Sequence, residues 1–154
     1  MKLNKYIQKL CCFYASDWHL TVMLLPYINN KIKESSSIYM RCENNIEDKM
    51  KILLDKLEIK NKRDIMEINW NNQVAENDLE EKEKIYIVSG CNKYIESTNR
   101  IIEQYYENTN TNVKIINCYE INNNSDIRQI IKKNGYKQIL NTRGENNITE
   151  NYKI

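Results

Sequence analysis

Between Leu10 and Met40 the chain runs from a short apolar segment, through a turn without glycine, into a long helical repeat and out into a second apolar segment. That is the strand, turn, helix, strand unit on which nucleotide- and ligand-binding α/β domains are built. Leu10–Tyr14 shows no clear alternation, which suits a central strand covered on both faces. Ser16 stands where a helix N-cap belongs, with Asp17 in the positive first turn. Leu20, Met23, Leu24, Tyr27, Ile28 and Ile32 then recur at helical spacing. Pro26 lies inside that helix and should kink it, at a cost of roughly 3 kcal/mol unless its surroundings accommodate it.

The turn Ala15-Ser16-Asp17-Trp18-His19 lacks the glycines and lysine of a phosphate-cradling loop. Asp17 would also repel a phosphate from a helix N-terminus that otherwise attracts one. ATP hydrolysis is therefore not expected.

Ser35-Ser36-Ser37 ends the helix, and Ile38–Met40 reads as a second strand. Ile46, Met50, Leu53, Leu54 and Leu57 give the clearest amphipathic helix in the chain. Asp64–Trp70 alternates polar and apolar residues and is expected to be a third strand. Asn71–Lys84 is polar and Glu-rich, a weak helix at best. Ile85–Gly90 is a fourth strand, followed by a helix with Tyr94, Ile101, Ile102 and Tyr105 on one face. Val113–Tyr119 is a fifth strand. Ile127, Ile130 and Ile131 mark a short helix closed by Asn134-Gly135, and Tyr136–Leu140 offers a last strand.

This alternation predicts an α/β three-layer sandwich, Rossmann-like, with a mainly parallel sheet of five or six strands. At 154 residues one domain is expected, over residues 1–142, with 143–154 as a frayed polar tail.

Composition narrows the function classes. Leu20 to Ile28, the longest apolar window, falls far short of the ~20 residues of a membrane helix. The apolar run Leu10–Ala15 is too short for a signal-peptide core. The expected location is cytoplasmic, in keeping with five irregularly spaced cysteines read as reduced thiols. A net charge of +2, from 23 basic and 21 acidic residues, provides no strong field, so neither nucleic acid nor membrane is an expected partner.

Ligands of parallel sheets bind outside the carboxyl ends of the strands. The candidate ligand-binding residues are therefore Ser16, Asp17, Trp18, His19, Glu43, Trp70, Ser89, Gly90, Cys91, Asn92 and Tyr119, within a rim formed by residues 15–19, 42–44, 70–71, 89–92 and 119–120. Trp18, Trp70, Tyr14 and Tyr119 fall at or just beyond strand ends, where aromatic walls suit a small apolar or planar ligand. The simpler reading is that they plug the end of the sheet. Backbone N–H groups at Ser89–Asn92 could hold a small anion, although a plain turn is the simpler reading. His19 is the lone histidine and could serve as an acid, base or metal ligand, although a partly exposed helix residue is simpler. Cys42, Cys91 and Cys118 end near one sheet edge and could converge with His19 on a soft metal or a redox centre. No pair has C-x-x-C spacing, so core packing is the favoured reading, and no metal, cofactor or catalytic residue is assigned.

The run Cys12-Phe13-Tyr14-Ala15-Ser16-Asp17, then Leu24-Leu25-Pro26-Tyr27-Ile28 and Ile38-Tyr39, resembles the opening of the MEDS domain, the methanogen/methylotroph sensory domain of DcmR-type regulators. Val88-Ser89-Gly90 and Asn117-Cys118-Tyr119 agree more loosely. The match would span residues from about 8 to 142. It departs from the family at Lys9, where a histidine is usual, at Cys91, where an acid is usual, and in a short 71–84 connection. The resemblance implies a RecA-like fold without ATPase function and a sensory role toward small organic molecules.

The leading expectation is thus a stand-alone, non-catalytic sensory domain that binds a small organic ligand. It would signal through a protein partner or as a homodimer. The alternatives are a small α/β enzyme using His19 with Ser16, Asp17 or Cys91, and a structural or interaction protein whose pocket is filled by its own aromatics.

Overall fold

The computed structural model describes residues 6–70, 82–122 and 127–148. In chain order they form β1 (Ile7–Tyr14), α1 (Asp17–Lys33), β2 (Ser37–Cys42), α2 (Ile46–Lys56), α3 (Lys62–Met66), β3 (Lys84–Ser89), α4 (Asn92–Tyr106), β4 (Val113–Glu120), α5 (Ile127–Asn134), β5 (Gln138–Asn141) and β6 (Gly144–Asn147). The six strands make one sheet in the order β2-β3-β4-β1-β5-β6. All neighbours are parallel except β6, which runs antiparallel to β5. Helices cover both faces, as the alternation of elements requires.

On one face Leu10, Cys12 and Tyr14 of β1 pack with Leu20, Leu24 and Ile28 of α1, Met50 and Leu54 of α2 and Ile65 of α3. On the other face Cys11 packs with Ile95, Ile102 and Tyr106 of α4 and Ile131 of α5. Leu10, Leu24, Ile28, Ile85 and Ile87 are wholly buried, each worth roughly 1.5–3 kcal/mol of apolar burial.

α1 begins as its sequence dictates, with Ser16 Oγ accepting the His19 N–H at 3.1 Å. Pro26 sits inside it but on the solvent side, four residues after the exposed Val22. The Val22 carbonyl that residue 26 would have bonded thus belongs to a water-facing stretch, which lowers the cost of the proline without removing it. The helix closes with Ser35 at φ 64° and the Ser36 N–H on the Lys31 carbonyl at 3.0 Å.

Three expectations are corrected. Asp64–Trp70 is not a strand: its first part belongs to α3, and only Asn69 pairs, in a parallel bridge with Tyr39 at the free edge of β2. Ile65 and Ile68 are also three apart, so the short alternation fitted either structure. In α4 the buried face carries Ile95, Asn99, Ile102 and Tyr106, while Ile101 and Tyr105 are exposed. The inner stripe was hidden because Asn99 is polar. Its partner is Asn117 on β4, with Nδ2 of each donating to Oδ1 of the other at 2.8 and 2.9 Å.

Finally, the expected tail from 143 contributes β6 and the buried Ile148. Glu145 on β6 accepts from Lys114 Nζ of β4 at 2.8 Å and from the Tyr27 hydroxyl of α1 at 2.7 Å. These bonds fasten the terminal hairpin to the first layer. The polar stretch 71–81 and residues 149–154 lie outside the described residues.

Candidate functional site

β1 and β4 project beyond their neighbours. Cys42, Ser89, Cys118 and Cys12 stand in one transverse register, and β1 and β4 continue to the Tyr14–Glu120 pair. Over this step the loops after the strands are tied together. The Glu43 N–H donates to the Ser89 carbonyl at 2.9 Å. Asn44 Nδ2 donates to Asp17 Oδ1 at 2.8 Å, and Asn44 Oδ1 accepts from Ser89 Oγ at 2.5 Å. The Ile121 N–H donates to the Tyr14 carbonyl at 2.8 Å.

The result is an open groove of about 700 Å³, lined by Tyr14, Glu43, Asn44, Gly90, Cys91, Asn92, Tyr119, Glu120, Asn122 and Ile130. It lies where the topology of the sheet places ligand sites. A second depression of about 790 Å³ lies toward the other end of the strands, between α4 and β5. Its Lys9 and Glu103 are joined to each other as an ion pair.

Gly90 is required where it stands. Its φ is 153°, and a Cβ there would lie 2.9 Å from Cγ and Cδ of Glu43. The Glu43 carboxylate fills that space, with Oε1 accepting the Cys91 N–H at 2.7 Å. The turn thus receives an anion from its own chain, and the backbone donor proposed for an external anion at Cys91 is already engaged.

The other sequence candidates divide clearly. Glu43, Gly90, Cys91, Asn92 and Tyr119 line the groove; Asp17 and Ser89 support it through Asn44. Ser16 and His19 form the N-terminal cap of α1, with His19 Nδ1 accepting the Ala15 N–H at 2.8 Å. Trp18 is exposed, with Lys49 Nζ 5.8 Å from its ring centre. Trp70 is buried in the core beneath α1 and does not line the groove.

Tyr14, Asn122 and Ile130 join the lining. Tyr14 is legible in the sequence as an aromatic at a strand end, and Ile130 as part of a helical stripe. Asn122 carried no signal beyond its place shortly after a strand.

Cys42 and Cys118 lie buried on the α1 face together with Cys12, while Cys91 is exposed at the start of α4. Cys42 and Cys118 are core residues, the favoured reading, and the alternative in which they converge with Cys91 is not formed. Among the described residues no group of three or more His, Cys, Asp or Glu side chains could hold a metal ion. Burial pushes the Cys42 thiol up to about 11, and contact with Cys12 together with burial raises Cys118 well above its ordinary value. Both therefore remain thiols rather than nucleophilic thiolates at neutral pH.

Tyr119 joins a buried polar chain below the groove: its hydroxyl meets that of Tyr136 at 2.6 Å, and Asn117 Nδ2 donates to Tyr136 at 2.9 Å. Burial raises the pKa of Tyr119, partly offset by that contact with Tyr136. Burial raises Tyr14 further, with Cys118, Glu120 and Asp17 acting in the same direction. Both phenols are neutral at physiological pH.

No helix among the described residues is long and apolar enough to cross a membrane. Comparison with known proteins places the chain in no family: no family model, no curated protein and no solved structure matches it.

Proposed function

We propose that the chain is a non-catalytic sensory domain of MEDS type that binds a small organic molecule in the groove at the carboxyl edge of its sheet. The observation that carries this reading is the groove itself. Its volume of about 700 Å³ suits a small ligand, and it combines aromatic and apolar walls with a few fixed polar groups. The polar groups are held before any ligand arrives: Glu43 by Cys91, and Asn44 by both Asp17 and Ser89. Such preorganisation lowers the ordering cost of binding. The resemblance of residues 8–42 to the MEDS opening supplies the sensory part of the proposal, and output passes to a partner chain or through self-association.

The enzyme alternative draws less support. His19 Nδ1 and Ser16 Oγ are both acceptors in the cap of α1, so the residues proposed for proton transfer serve the helix end.

The reading is tested by thermal shift against a library of small organic molecules, using the wild-type chain and Asn92→Trp. Asn92 is an exposed groove residue, so tryptophan there fills the groove without disturbing the core. A compound that raises the melting temperature of the wild type and not of the variant supports the proposal. Identical responses from both proteins, or no response from either, would refute it.

A further inference from the structure

We infer that the groove selects a small organic cation, an alkylammonium. The inference rests on the reading that the groove is a ligand site and adds the charge class of the guest.

Two carboxylates, Glu43 and Glu120, line the groove, and no lysine or arginine does so among the described residues. Glu120 is exposed and enters no ion pair among the described residues. Glu43 has one oxygen on the Cys91 N–H, which fixes the carboxylate and leaves Oε2 free to accept from a guest.

The independent pointer is Tyr14. It is only 2% exposed, yet it lines the groove. Its hydroxyl has no hydrogen-bond partner among the described residues. A phenol this deeply buried normally finds one, and the groove is the cavity whose wall Tyr14 helps to form. The ring is held neutral by burial and by the acidic groups around it, so its oxygen is free to accept from an N–H donor.

Two carboxylates, a neutral phenol oxygen and the aromatic Tyr119 form a lining rich in acceptors and π surface. This complements an ammonium group bearing a short apolar chain. Ile130 offers that chain an apolar surface. A carboxylate guest would meet two like charges with no cation to offset them. A metal ion would lack the third ligating side chain.

The test is titration calorimetry of the full chain with methyl- to butylammonium chlorides. The matching alcohols and carboxylates serve as neutral and anionic counterparts, at constant ionic strength. The expected result is binding of at least one ammonium, with its alcohol and carboxylate about tenfold weaker or undetectable. Glu43→Gln combined with Glu120→Gln should weaken the ammonium about tenfold, and added salt should weaken it in the wild type. Tyr14→Phe, which keeps the ring, should cost about two- to tenfold. If an alcohol or carboxylate binds as tightly as its ammonium and Asn92→Trp abolishes that binding, the cation assignment is wrong while the ligand site stands. If none of these compounds binds and the library also finds nothing that depends on Asn92, both readings fall.

Discussion

The backbone N–H of Cys91 donates to Glu43 Oε1 at 2.7 Å, and the carboxylate lies where any side chain at residue 90 would have to stand. One contact thus joins the loop after β2 to the start of α4 and fixes the carboxylate at the wall of the groove. Gly90→Ala should cost about 1–3 kcal/mol, because a φ of 153° is strained for any residue with a Cβ. In urea denaturation, Glu43→Ala in the Gly90→Ala background should cost less than in the wild type, because the contact it removes is already displaced.

The buried Asn99–Asn117 pair satisfies itself and passes a hydrogen bond to Tyr136. Asn99→Leu should destabilise by roughly 1–3 kcal/mol by stranding the Asn117 amide. The double change to leucine should cost less than the sum of the two single changes, as a double-mutant cycle in urea would show.

Glu145 is pulled two ways. Its half-burial acts to raise the carboxyl pKa, but hydrogen bonds from Lys114 and Tyr27 and the charges of Lys114 and Lys31 outweigh that and hold it below its ordinary value. The folded-state pKa is therefore depressed. The stabilisation is fully present above the unfolded carboxylate range, near pH 4.3, and is lost as pH falls through the lower folded value. Glu145→Gln should lower stability at neutral pH and flatten the acid limb of the melting profile below about pH 4.3. An unchanged acid limb would contradict the role given to this contact.

Thiol chemistry should follow burial. Cys91 is exposed and the other four cysteines are buried, and burial pushes Cys11 up to about 12. Iodoacetamide under native conditions should add one adduct, at Cys91, against five after unfolding. Two or more native adducts, counted by intact mass, would contradict the burial of Cys12, Cys42 and Cys118 on the α1 face and of Cys11 on the other.

Pro26 predicts a gain. Pro26→Ala should restore a solvent-side bond to the Val22 carbonyl and raise stability by about 1–3 kcal/mol, read from the urea midpoint.

The layered fold was legible because its strands are apolar runs and α1 and α2 carry helical stripes with local caps. What escaped were features whose cause lies far along the chain. Asn99 looked like a polar interruption until Asn117 faced it across the α4–β4 interface. Gly144–Asn147 has no apolar alternation, because this edge strand turns Glu145 toward Lys114 and Tyr27. Asp64–Trp70 was too short to separate two periodicities. The site's location followed from the parallel sheet, but its composition did not. Glu43 and Gly90 are 47 residues apart, and nothing local announces that one closes over the other. Trp70 follows a helical segment rather than a strand, and it lies in the core instead of at the sheet edge.

The central claim is that the carboxyl-edge groove is a ligand site. It is tested most directly by following backbone amide shifts of the 15N-labelled chain as small organic cations, alcohols and carboxylates are added in turn at constant ionic strength. The account predicts saturable shifts concentrated at Glu43–Asn44, Gly90–Asn92 and Tyr119–Asn122, absent in Asn92→Trp. Saturable shifts centred instead on Lys9, Glu103 and Gln138, or no saturable shift anywhere, would contradict it.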